Sequence, residues 1–344
     1  MKTAINYLRL ITVIGCSLLF ATQIFLWVNI NMIWLTLVVS FILIPLLDYF
    51  FGDNYQQNFE NFKYVCEWIP RVFFCVHFYL LFFFISIAEQ FSSSEICLIG
   101  ICLGTITGAT GITIAHELMH KKLFIDRLFS KLIMCSVLYG HFCVEHIRGH
   151  HVRVATPNDP ATAKRGQNLY SFIIQSTFGS FKHACKLESL RLNGKNKVIF
   201  SLSNNVISSL LLSLILMIST YFFYNSNALF LFIIQALWAI VLLEATNYIE
   251  HYGLLRKKEG KRYEPVQLHH SWNSNFYLSN WILFNLPWHS DHHKNMNKSF
   301  AQLRPVHAAP QLPFGYPLMI VISFFPFIFI PIMEKTILKY KQNK

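Results

Sequence analysis

The sequence predicts an all-α, polytopic membrane protein: six transmembrane helices carrying a cytoplasmic, histidine-rich helical cap. Three observations point there. Of the 344 residues 54% are hydrophobic and only 13% are charged, too few charges to cover a soluble protein of this size. Mean hydropathy is +0.40, and the apolar residues gather in uncharged runs of membrane-spanning length. Finally, the Lys and Arg residues fall between these runs in a strongly one-sided way.

Taken in order, the spans are expected at about 10–30, 32–50, 72–90, 96–116, 199–223 and 228–247. At 1.5 Å per residue each covers most or all of a hydrocarbon core roughly 30 Å thick. The first run is longer than a signal-peptide core and lacks a small-x-small cleavage site, so it reads as a retained anchor. Residues 128–144 contain Lys131 and His141 and follow Arg127; they read as a helix folded beneath the membrane face. Residues 313–333 are interrupted by Pro317, Pro326 and Pro331, which suits a re-entrant or interfacial segment. No repeat or low-complexity stretch divides the chain, so 1–344 reads as one domain, its cap formed by 117–198 and 248–344.

With the N-terminus inside, the outer connections are the turn at Asn31, residues 91–95 and residues 224–227. None of them carries Lys or Arg, so all 29 basic residues fall on the cytoplasmic side, as the positive-inside rule requires. Topology and contact with anionic membrane lipid account for the net charge of +12 without nucleic acid. The basic residues are dispersed and no nucleic-acid-binding motif is visible. The eight cysteines include no CxxC pair, which excludes a zinc ribbon or a fused rubredoxin-type iron domain and argues against a disulfide framework.

The chemistry resides in the histidines. Six of the fifteen lie from His116 to His151, five of them in HELMH at 116–120 and EHIRGHH at 145–151; His251 follows in NYIEHYG, and His289, His292 and His293 sit in HSDHH. On a helix, residues four apart share a face, so His116 pairs with His120 and His146 with His150, with His151 beside them. In the expected topology all four pieces meet on one membrane face. Nine converging imidazoles (116, 120, 146, 150, 151, 251, 289, 292, 293) are too many for one ion and suit two. Imidazole fits zinc, copper, iron and nickel alike, so ligand type leaves the metal open. Glu117, Glu145, Glu250 and Asp291 adjoin these histidines and are expected to orient ligating rings through their second nitrogens. His269 and His270 are expected to support the site rather than ligate, and His77, His141, His183 and His307 lack partners at ligand spacing.

Together, HELMHK at 116–121, EHIRGHH at 145–151, ATPNDPA at 155–161, NYIEHYGLLR at 247–256, HHSWNSN at 269–275 and HSDHH at 289–293 resemble the integral-membrane alkane 1-monooxygenases, a rubredoxin-dependent group within the membrane desaturase/hydroxylase superfamily. The likeness extends over about 100–317. It implies six transmembrane helices, two iron ions held by the nine histidines, O2 as co-substrate, and electrons from rubredoxin and its reductase. The activity implied is terminal hydroxylation of n-alkanes in a bacterial inner membrane, with the site facing the cytoplasm. One flank departs from that pattern: Pro287-Trp288 stands before the last box where the family usually has Gln-Arg, and Lys294 to Phe300 follow it.

An unactivated methyl group offers neither an acidic proton nor a leaving group, so acid–base and nucleophilic catalysis cannot open it and a metal must carry the chemistry. No separate protein base is called for. Gly104, Gly108 and Gly111 lie above His116 and are the candidates for a substrate channel, although close helix packing is the use such spacing favours. Glu244, Asn247 and His251 share a face of the last span, and an intramembrane carboxylate is a functional candidate. Arg148, Arg153, Lys164 and Lys294 are candidate contacts for an acidic electron donor. The rival activities are fatty-acyl desaturation or hydroxylation and alkyl-aromatic methyl hydroxylation; the rival outside enzymes is a histidine-rich metal transporter or sensor.

Overall fold

A computed structural model describes residues 2–29, 31–53, 59 and 62–342. Ile30, at the end of the first expected span, and residues 343–344 of the expected cap lie outside these. Among the described residues, five helices are long and apolar enough to cross a membrane: α1 (Lys2–Asn29), α3 (Lys63–Ile87, extended to Gln90 by a 3-10 turn), α4 (Ser93–Met119), α8 (Asn205–Phe223) and α9 (Ser226–His251). Between α1 and α3 lies α2 (Leu35–Phe51). It occupies the expected second span but rises only about 26 Å, because a turn at Asn31 (φ 55°) delays its start and Gly52 (φ 70°) ends it.

The pair that positions the site is α4 and α9. Ser92 opens α4 with a capping box, its N–H donating to Glu95 Oε2 at 2.8 Å; Asn225 opens α9 by accepting from the Ala228 N–H at 2.8 Å. Such caps satisfy the orphan donors of a helix start. Asn227 donates to the Phe91 carbonyl at 3.4 Å, so the two helices begin side by side and run in the same direction. Their far ends therefore deliver His116 and His251 to one level.

Glycine spacing brings the pair together. A Cβ on Gly100 would stand 2.6 Å from the Ile234 side chain, and one on Gly104 2.7 Å from the Gln235 carbonyl oxygen. One on Gly111 would meet His77 Nδ1 on α3 at 2.9 Å. The expected channel at Gly104 and Gly111 is thus corrected: both serve close packing, and of the three glycines only Gly108 borders the main cavity.

The remaining elements complete the lower layer. Residues 128–144 are not one helix: α5 (Phe124–Ser136) ends, Leu138 takes a left-handed φ of 57°, and α6 (142–153) follows. Ser130 donates to the Ala115 carbonyl at 2.7 Å, seating α5 on the end of α4. α7 (Leu169–Asn193) precedes α8, which starts at Asn205 rather than 199 because the Asn204 side chain caps it. A two-residue hairpin, β1 (Lys258–Glu259) with β2 (Arg262–Tyr263), precedes α10 (Tyr277–Ile282) and α11 (His289–Lys294). The 313–333 stretch resolves into α12 (Tyr316–Ser323) and α13 (Pro326–Gln342), separated where Pro326 disfavours helix in the residue before it. Phe329 of α13 is buried against Tyr248 and Tyr252 at the end of α9, with ring centroids 4.8 and 5.1 Å away.

Replacing Gly104 with Ala should overpack the α4–α9 seam and cost about 1–3 kcal/mol. Thermal unfolding in detergent reads this as a lowered midpoint. Gly15→Ala, where an added Cβ meets nothing within 4 Å, should leave the midpoint in place; equal midpoints for both variants would contradict the packing role.

Candidate metal centre

The nine histidines come together beneath the ends of α4 and α9 in two groups. His116, His120, His146, His151 and His292 form one; His150, His251, His289 and His293 form the other. The partition follows from backbone geometry. On α11, an ordinary helical turn sends His289 and His293 to one side and His292 to the other. On α6, residues His146–His150 form a π turn, whose i→i+5 pattern widens the turn by one residue. His146 therefore shares its face with His151, their Nε2 atoms 3.0 Å apart, while His150 points to the other group, its Nε2 3.2 Å from that of His293. The expected pairing of His146 with His150 is corrected accordingly.

Within the groups, further Nε2···Nε2 approaches are 3.1 Å for His292–His151, 3.2 Å for His289–His251 and 2.9 Å for His293–His289. Nitrogens bound about 2.0–2.1 Å from one ion are separated by about 2.9–3.4 Å, so these spacings fit the edges of two coordination polyhedra. Burial first, and then neighbouring imidazoles, hold His146, His151, His289, His292 and His293 far below the ordinary imidazole range. Burial also brings His120 down to about 4. The rings are thus neutral, the form that binds metal. Buried nitrogens without a hydrogen-bond partner include His116 Nε2 and both nitrogens of His120. Unpartnered nitrogens of this kind are costly unless an ion draws on the lone pairs. The two groups adjoin, the His151 and His293 ring centroids lying 4.5 Å apart.

Carboxylates divide by which nitrogen they face. Asp159, in the ATPNDPA stretch, meets His150 Nδ1 at 3.0 Å and is itself fixed by the Thr162 hydroxyl at 2.6 Å and the Ala161 N–H at 3.2 Å. It is the support that sequence reasoning missed, although the motif containing it was noticed: Asp159 is nine residues from its histidine, beyond any helical spacing. Burial opposes its charge, but His150 and Thr162 win and hold its carboxyl below the usual range. Glu250 contacts His289 Nε2 at 3.2 Å.

The other expected supports have different partners. Glu117 accepts from Lys121 (2.6 Å) and the Phe300 N–H (3.0 Å). Glu145 meets His183 Nδ1 at 2.9 Å, and Asp291 accepts from Lys298 (2.9 Å), Asn295 (2.8 Å) and the Arg304 N–H (3.1 Å). Glu117 and Asp291 thus anchor the unusual segment after the last box, and buried Trp288 fills the position before it. Glu244 accepts from the Tyr139 hydroxyl at 2.8 Å, with Asn247 at 3.4 Å. His270 accepts the Gln267 N–H at Nδ1 (2.9 Å) and meets Glu264 at Nε2 (3.2 Å), with the His269 ring tilted against it. Neither joins the nine, although the His251 ring faces the Ser271 hydroxyl next in sequence at 3.5 Å.

Above the two groups opens a cavity with about 920 Å³ of empty space, its open mouth included. It is lined by His116, His146, His289, Asn247 and Glu250 where it meets the histidines, by Thr105, Gly108 and Ile112 of α4, by Leu242 and Leu243 of α9, and by Phe20 and Phe41. Both α2 and α4 contain π turns where they border it, at Val39–Leu43 and Thr107–Ile112.

The family model for fatty acid desaturases matches residues 93–323. The chain is 36% identical to alkane 1-monooxygenase 1 of Alcanivorax borkumensis, over 90% of this chain and 79% of that protein. It is 35% identical to the alkane 1-monooxygenase of Pseudomonas putida, over 89% and 78%. Similarity to the hydroxylase component of a xylene/toluene monooxygenase from P. putida is 33%, over 61% and 56%.

Asp159→Asn should lower metal affinity about 10- to 100-fold, the usual effect of removing a partner behind a ligating histidine. Metal retention against a graded chelator measures it, and retention equal to wild type would remove Asp159 from that role.

Proposed function

Because the chain belongs to the membrane fatty acid desaturase family and aligns along most of its length with alkane 1-monooxygenases, we propose that it hydroxylates the terminal methyl of n-alkanes at a di-iron centre. The observation that carries this reading is the juxtaposition of two histidine groups with an apolar cavity.

In this reading, His116, His120, His146, His151 and His292 hold one iron and His150, His251, His289 and His293 the other. The centre supplies reductive activation of O2, so that alkane, O2, two electrons and two protons give the 1-alkanol and water. The chain's own residues supply the rest. Asp159 fixes the tautomer and direction of His150. From Thr105 to His116, α4 rises about 16 Å, comparable to an extended medium-chain alkane. Phe20, Ile112, Leu242 and Leu243 line that length and exclude water, which keeps the site dry. A chain held along the cavity meets the imidazoles with its end and not its middle, which gives terminal selectivity by position. An extended apolar slot suits an alkyl chain better than an aromatic ring. The histidines gather at the ends of the spans, unlike the midplane sites of a metal transporter.

Rubredoxin, re-reduced by its reductase, is the proposed electron donor. Of the basic candidates, Lys164 and Lys294 are exposed, whereas Arg148 is paired with Glu188 and Arg153 is half-buried. Steering of an acidic donor then rests on the two lysines. The spans put the enzyme in a membrane; the basic residues beside the histidines support a site on the cytoplasmic side, and the bacterial relatives support an inner membrane.

Purified protein supplied with rubredoxin, its reductase, NADH and n-dodecane should contain two irons per chain and form 1-dodecanol. A single zinc, or no oxygenated product, would defeat the reading, and xylene or an acyl substrate turned over in its place would shift it to the related activities. Gly108→Leu should shift activity toward shorter alkanes, since a Cβ there already stands 3.2 Å from Leu242. An unchanged chain-length profile in a folded variant would show that Gly108 does not shape the slot.

A further inference from the structure

We propose that Glu250 is a tenth protein ligand of the centre, its carboxylate completing the set around the ion held by His150, His251, His289 and His293. This rests on the di-iron reading above and goes beyond the supporting part that sequence position suggests for Glu250.

Which side of the ring a carboxylate faces separates a ligand from a support. Asp159 lies behind His150, at Nδ1, away from the converging nitrogens. Glu250 lies on the other side: its Oε2 is 3.2 Å from His289 Nε2, the atom that His293 Nε2 approaches to 2.9 Å and His251 Nε2 to 3.2 Å. A neutral imidazole has one N–H to give, so one nitrogen cannot satisfy three surrounding acceptors. Lone pairs converging in this way mark where a cation sits, and Glu250 Oε2 borders them at His289.

The carboxylate is held in that orientation. Tyr316, buried on α12, donates its hydroxyl to the other oxygen, Oε1, at 3.0 Å, leaving Oε2 for the histidines. Glu250 also lines the cavity beside His116, His146 and His289, so its donor atom shares their open space. Number and charge agree with this assignment. One histidine group offers five nitrogens and the other four; Glu250 brings the second to five. Nine imidazole ligands cancel none of the charge of two divalent ions, and a buried carboxylate is costly unless it meets a positive charge. Coordination satisfies both at once.

Glu250→Gln tests this, because the amide keeps the size and a hydrogen-bond acceptor but is a far weaker ligand. The proteins would be loaded with 57Fe in nanodiscs, and Mössbauer spectra and chelator-resisted iron recorded. Wild type should show two ferrous environments and two irons. Glu250→Gln should alter or lose one environment, with at least tenfold faster loss of that iron to chelator, and leave the other unchanged. Tyr316→Phe, which frees the carboxylate without removing it, should perturb the same environment and serves as the readout should Glu250→Gln not fold. Spectra and iron loss identical to wild type in both variants would overturn the assignment. A wild-type protein without two irons would instead defeat the di-iron reading itself.

Discussion

Nine imidazoles crowded together with their ring nitrogens facing one another are what the rest of this structure must accommodate. Nitrogens 2.9–3.2 Å apart with too few protons between them repel unless a cation lies among them. The surrounding protein has to absorb that cost before any chemistry is possible. Part is met at the helix ends: α4 and α9 finish at His116 and His251, where the negative ends of their dipoles favour a positive charge. Part is met by the backs of the rings, where Asp159 and Ser271 take up second nitrogens.

The same constraint explains why the long helices pack so tightly. Two spans that must deliver a histidine each to one level cannot slide relative to one another. Gly100 and Gly104 bring α4 within backbone contact of α9 at Ile234 and Gln235, and Asn227 ties their starting ends. Without a hydrophobic force between helices in lipid, such close van der Waals contact and interhelical hydrogen bonds are what hold them. Where the seam loosens, past Gly108, the cavity begins.

Three π turns fall where this architecture changes purpose. Those in α2 and α4 border the cavity, and the one in α6 divides the EHIRGHH histidines between the two groups. A π turn offsets every later side chain by one residue, which re-aims them without breaking the helix. In α6 it also needs Gly149, since a Cβ there would run into the Glu145 carboxylate. One inserted residue per turn thus divides one histidine box between the two histidine groups.

Composition and spacing by themselves determined the class, the helical spans and the nine histidines, because apolar length and repeated imidazoles are local properties that survive in a string of letters. The motif resemblance supplied the family on the same basis. Three matters were decided only in three dimensions. The partition into five and four depended on a π turn, and single-sequence periodicity assumes 3.6 residues per turn. Asp159 and Tyr316 acquired their parts through contacts 9 and 66 residues away in the chain, a separation no helical spacing encodes. Gly104 and Gly108 look alike in sequence, yet one meets a backbone carbonyl and the other the Leu242 side chain at the border of a cavity, since what a missing side chain makes room for depends on the neighbour that tertiary packing puts there.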